Sequence, residues 1–161
     1  MSLQEQQAAL VAALAGLGPP PLGFDAARLH AAAESLARKR RHAVVHAWPG
    51  LEAVPAFQAH FAAYAQATPL PVDGGPLADG RWFVDWLDAA NVALTDAVRL
   101  QACGVDLRFV TRGRRWRPGP WVCVRSTWLG AAGCRWMGLR VRLAGWSWEW
   151  QFRVRVPSPR R

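Results

Sequence analysis

His42 and His46 stand four residues apart, a spacing that sets two imidazoles on one side of a helix and can supply two ligands to a metal ion. A metal site needs three or four ligands. No third ligand lies nearby in sequence and no HExxH is present, so the pair reads as two ordinary histidines. His30 and Glu34 repeat the spacing and receive the same reading. Cys103, Cys123 and Cys134 are three in number and no two have ligand spacing, which argues against a zinc or iron–sulfur site and fits a reducing cytosol. Ser35 falls in a helical stretch and Ser126 in a strand-like one, and no G-x-S-x-G elbow surrounds either. Cys103 has no visible base. Asp85 and Asp88 read as the solvent side of a helix, and Gly74-Gly75 lacks the GK[ST] of a phosphate loop. No catalytic constellation, metal site or cofactor is therefore expected.

The remaining chemistry is charge and aromatic surface. Residues 1–100 carry seven basic and nine acidic side chains, a net of −2. Residues 101–161 carry thirteen arginines against Asp106 and Glu149, a net of +11, and seven of the ten tryptophans. Such asymmetry points to an acidic partner for the second half, whether nucleic acid, an acidic peptide or an acidic protein surface; a solvated arginine face is the bland alternative. Apolar residues make up 52% of the 161, a globular composition. No signal peptide and no apolar run long enough to span a bilayer is read from the sequence, so a cytoplasmic protein without a membrane role is expected.

The elements that must position these residues change type near Cys103. Four helices are expected first: residues 3–17, stopped by the Pro19–Pro21 run; from Phe24-Asp25 to Trp48, with Asp25 as N-cap and Pro49-Gly50 as stop; Leu51–Ala67; and Gly80–Leu100, capped by Asp79. After Gly104 the period becomes two. Strands are expected at Leu107–Arg112, Trp121–Trp128, about Trp136–Leu143 and Trp146–Val156. In the last, Trp146, Trp148, Trp150, Phe152, Val154 and Val156 alternate with polar residues. The fold class is thus α+β. A bundle of about four helices (residues 1–102) precedes an antiparallel three- to four-stranded sheet (103–161), either as two domains or around one shared core.

The alternation puts the arginines of each strand on one face and its Trp, Phe, Val and Leu on the other. The apolar face is expected to cover the helices. The opposite face, with Arg125, Arg140, Arg142, Arg153 and Arg155, is then the candidate partner surface. Trp116, Trp121 and Trp136 are the tryptophans expected to be exposed. A nucleic-acid platform would carry aromatics and cations together on one exposed face. Nucleic acid therefore stands as the second alternative, and no helix-turn-helix or RNP-like pattern supports it.

Three segments carry a family resemblance: FDAARLHAAAESLARKRRHAVVHAWPGL at 24–51, F-x-x-x-F-x-x-YA at Phe57–Ala65, and GGPLADGRWFVDWL at Gly74–Leu87. They resemble a small actinobacterial family of partner proteins and C-terminal extensions, fused to or encoded beside multinuclear non-haem iron-dependent oxidative enzymes. The start of the chain also resembles, more loosely, the N-terminal domains of methanobactin-type and bufferin-type partner proteins. The matching positions are Lys39, Arg40, Trp48, Pro49, Asp79, Gly80 and Phe83. The resemblance covers about the first 90 to 100 residues and carries no catalytic residue. It implies a non-catalytic partner of a TIM-barrel oxidase that modifies cysteine-containing ribosomal peptides. It further implies that the sheet recognises the precursor peptide, an acidic leader segment adding to an edge strand.

Overall fold

The computed structural model describes residues 2–15, 18–112, 115–130, 133–143 and 145–155, with backbone alone at 111, 112, 115 and 116. Helix α1, Leu3–Leu14, opens on a reciprocal cap: Glu5 N–H donates to Ser2 Oγ at 3.2 Å, and Ser2 N–H donates to Glu5 Oε2 at 2.7 Å. The expected end of this helix at Leu17 lies outside the described residues. Helix α2, Ala26–Ala47, is capped by Asp25, whose carboxylate accepts from the Ala27 and Arg28 amides at 2.8 and 3.3 Å. Pro49 cannot continue it, and a 3-10 helix, Pro49–Ala53, leads through Ala56 (φ 51°) into α3, Phe57–Ala67.

The expected fourth helix is two helices. Helix α4 spans Gly75–Ala89 and α5 spans Asp96–Arg108. Between them Asn91 takes a left-handed conformation (φ 55°), which asparagine tolerates at a helix end, and Val92 N–H closes back onto Leu87 O at 2.9 Å. Thr95 restarts the chain as N-cap, its hydroxyl accepting from Val98 N–H at 3.3 Å. Helix α4 begins a full turn earlier than expected, because Gly74 (φ 77°) and Pro76 set its first turn. Asp79 is therefore not a cap but lies inside the helix.

The structure is α+β, with N-terminal helices and C-terminal antiparallel strands. Strands β1 (Phe109–Arg112) and β2 (Arg115–Pro118) form a hairpin. Strands β3 (Val122–Leu129), β4 (Cys134–Leu143) and β5 (Trp146–Arg155) form an antiparallel sheet in the order β3-β4-β5. Val156, expected to end the last strand, lies outside the described residues.

Two buried clusters meet on α5. The first joins Val44, Trp48, Leu51, Phe57, Phe61, Tyr64, Phe83 and Leu87 to Val98 and Val105 of α5. The second joins Cys103 and Leu107 of α5 to Cys123, Leu129, Cys134 and Trp136 of the sheet. Residue 103, where the two halves divide by composition, thus sits in the helix that serves both clusters. Gly138 lets this happen: a Cβ there would strike Leu107 Cδ1 and the Trp136 ring.

Helix α5 covers the opposite face of the sheet from the one expected. Cys123, Leu129, Cys134, Trp136 and Gly138 are buried beneath it, in register with Arg125, Arg140, Arg153 and Arg155. The outer face runs in cross-strand rows Val122/Val141/Trp148, Val124/Leu139/Trp150, Ser126/Met137/Phe152 and Trp128/Arg135/Val154, with Leu143/Trp146 at one end. Twelve of those fourteen side chains are apolar, and ten of the twelve are exposed.

Candidate binding site on the C-terminal sheet

The motif positions of the helical half build a buried network. Arg40 of α2 donates from Nε and Nη2 to the Asp79 carboxylate at 2.8 and 2.7 Å, and from Nη1 to the Thr68 and Ala65 carbonyls at 2.8 and 3.3 Å. The Tyr64 hydroxyl donates to Asp79 Oδ1 at 2.7 Å, and the Arg40 guanidinium lies 5.1 Å from the centre of the Tyr64 ring. Burial, then the Asp79 charge, push the Tyr64 phenol far above its ordinary value. Burial alone would lower Arg40, but its bonds to Asp79 outweigh that and raise it. The Trp48 indole N–H donates to Leu77 O at 3.0 Å, and Gly80 leaves the room the indole ring occupies. Phe83 is buried between Phe57, Phe61 and Tyr64. Lys39 is exposed, and Pro49 starts the 3-10 helix. Except for Lys39, these residues tie α2, α3 and α4 together. Their polar groups face one another rather than a substrate.

Arg81 joins α4 to α5 in the same manner, with Nε and Nη2 on Asp106 at 2.7 and 2.9 Å and Nη1 on Asp85 at 2.6 Å. All three cysteines are buried and free. Burial and, after it, the Asp106 charge push the Cys103 thiol up, away from the thiolate that a nucleophile requires. Among the described residues no three His, Cys, Asp or Glu side chains form a group that could hold a metal ion.

The five candidate arginines share the helix-side face and divide into two kinds. Arg140 is held: its Nη1 donates to Arg108 O at 3.0 Å, beside the Arg108–Glu149 ion pair at 3.0 Å. Burial alone would raise the Glu149 carboxyl, but the hydrogen bond and charge of Arg108 outweigh it and hold it below the usual range. Arg142 is half-buried beside the β3 start, where its backbone N–H donates to Trp121 O at 2.6 Å. Arg125, Arg153 and Arg155 are exposed on this face, with no ion pair to any of them among the described residues. Trp121 is 64% exposed, as expected, whereas Trp136 is 3% exposed and belongs to the core under α5. The Trp116 side chain lies outside the described residues.

Arg153 lines a cleft of about 380 Å³ between α5 and the sheet, together with Leu100, Gly104, Trp136 and Gln151. Gln151 and Arg153 of β5 line the cleft, and the far edge of that strand pairs with no strand among the described residues. An unpaired edge presents a row of free N–H and C=O groups that an extended chain can complete. A second, wider groove of about 630 Å³ lies between α2 and α3, lined by Arg38, Arg41, His42, Glu52 and Phe57. Leu100 and Gly104 of the cleft were not legible as site residues, because only the packing angle of α5 brings them beside β5. The open apolar face was missed for a related reason: alternation tells which residues share a face, not which face is covered.

The fold and site are those of a helical bundle carrying an antiparallel sheet whose arginine-bearing edge strand and aromatic face are uncovered by the described residues. The chain belongs to the family described as SCO6045-like, C-terminal domain, whose model matches residues 4–89. That match spans α1 to α4 and so contains the whole Arg40–Asp79–Tyr64 network. No curated protein and no solved structure matches the chain. No described helix is long and apolar enough to cross a membrane.

Proposed function

We propose that this protein is a non-catalytic partner subunit of a multinuclear iron-dependent, peptide-modifying oxidase of the TIM-barrel type, and that it holds the oxidase's precursor peptide along β5. The observation that carries the reading is the edge of β5, unpaired among the described residues, near a cleft lined by Arg153, which makes no ion pair among them. Main-chain pairing to that edge supplies affinity without dictating sequence. The cleft takes one apolar side chain against Trp136, and Arg153 and Arg155 attract an acidic leader segment. The helical half, which carries the family resemblance, docks on the oxidase. Nucleic acid is the weaker reading, because the exposed tryptophans within the strands, Trp128, Trp146, Trp148 and Trp150, lie on the face opposite the candidate arginines, with Arg135 the one cation in those rows.

The test is co-expression with a multinuclear iron-dependent oxidase of the TIM-barrel type, followed by titration with that oxidase's cysteine-containing precursor peptide. A stable complex, and a drop of about tenfold or more in peptide affinity for the R153E/R155E variant, are expected. Clean separation of the two proteins on a sizing column overturns the oxidase role. Retention of short duplex DNA that falls steeply with salt, without peptide binding, turns the assignment to nucleic acid.

A further inference from the structure

We propose that the outer face of the β3-β4-β5 sheet is a self-association surface, and that two copies of this chain stack these faces about a two-fold axis. This face is not used in the peptide reading above. It is apolar at all but Ser126 and Arg135, and Trp146 is 72% exposed. At roughly 150–250 Å² for a whole aromatic side chain, the exposed fractions leave on the order of 1,000 Å² of apolar surface open to water. A monomer rarely carries so large a patch, and a stable dimer needs about 800 Å² from each partner. The area is therefore what a second copy would cover.

The side-chain sizes say how. In three rows β5 presents Trp148, Trp150 and Phe152 while β3 on the other side of β4 presents Val122, Val124 and Ser126; in the fourth the order reverses, with Trp128 on β3 and Val154 on β5. Each row is thick at one end and thin at the other. A two-fold axis along β4 lays the thick end of each row over the thin end of the same row in the other copy, so both gaps close at once. Aligned packing of two sheets about 10 Å apart is the ordinary geometry for such a stack. The charge agrees. The cations of the sheet point to the α5 side, and Arg135 sits in the last row, where a long side chain reaches past the border. A charged partner would find almost nothing here to pair with.

Light scattering on the purified protein tests this. The expected mass is twice the 17.8 kDa of one chain, and the melting temperature should rise with protein concentration. Trp150→Glu, midway along the β5 side of the face, is expected to give a monomer with unchanged helical circular dichroism. Should that variant fail to fold, a mixture of the Val124→Cys and Trp150→Cys proteins decides the packing. A short thiol cross-linker should join the two variants to each other more than either to itself. A wild-type monomer at about 50 μM overturns the proposal, as does a dimer that keeps its mass in a folded Trp150→Glu variant. A monomer that loses the oxidase complex on Trp150→Glu also overturns it and gives the face to that partner. Peptide binding, read with R153E/R155E, stands or falls separately.

Discussion

Arg40 and Asp79 are separated by thirty-nine residues in sequence and meet with side chains 11% and 2% exposed. A buried pair of this kind stabilises only while it is complete, because either partner alone is an uncompensated charge. Loss of one costs about 3–5 kcal/mol. D79N and R40M are therefore each expected to lower the melting temperature by roughly 6–20 °C, at about 2–4 °C per kcal/mol. The double variant should lose much less than the sum. Additive losses in a double-mutant cycle followed by circular dichroism would show that the pair is not coupled.

Tyr64 offers a spectroscopic view of the same network, since it is the only tyrosine in the chain. Its folded value lies above the unfolded one, so its contribution to stability is complete below about pH 10 and is lost as pH rises beyond it. Phenolate absorbance near 295 nm should be absent from the folded protein at about pH 10.5 and should appear with alkaline unfolding. Absorbance that grows while the helical signal is intact would place the hydroxyl in water.

At the scale of elements, α5 decides most. One side of it completes the helical core and the other lies on Gly138 and Trp136 of β4. Gly138→Val is expected to cost about 1–3 kcal/mol by forcing Leu107 away, and to loosen the sheet before the bundle. Separate monitoring of helical ellipticity and tryptophan fluorescence through a melt checks the order. The Arg108–Glu149 pair pins the end of α5 to β5. The Glu149 carboxyl is lowered, so its contribution is present above the ordinary glutamate value and is lost as pH falls through the folded one. The arginine is more than half exposed, so the effect is under about 1 kcal/mol. Denaturant midpoints at pH 3 to 6 should show a small step that E149Q lacks.

For the whole molecule, the charge described on the three-stranded sheet is sided, with Arg135 alone among its described arginines on the outer face. The candidate arginines of β3, β4 and β5 face the α5 layer, and the other side of the sheet is aromatic. Two separate surfaces follow, one electrostatic and one apolar, and salt distinguishes them. Peptide affinity at β5 is expected to fall about tenfold between roughly 0.05 and 0.5 M salt, while self-association is unchanged or strengthened. Equal sensitivity of both would mean that a single surface serves both ends.

The sequence by itself determined the helix starts at Asp25, the stop at Pro49, the register of alternation through β3 to β5 and the placing of charge in the second half. These are local matters: a cap, a ring without an N–H, a period of two, a count. It also determined that Arg40, Trp48, Asp79 and Gly80 matter to the family pattern, but not that they meet. Only the tertiary structure decided that, because ion pairing over thirty-nine residues leaves no periodic trace. The break at Asn91 was hidden in a continuous apolar stripe that serves two helices as readily as one. The side of the sheet that faces inward was likewise a tertiary decision. Hydrophobicity favours the tryptophan face, yet close packing favours the face with Cys123, Cys134 and Gly138. Their small side chains let α5 approach the sheet around the single Trp136, and a row of tryptophans would hold it away.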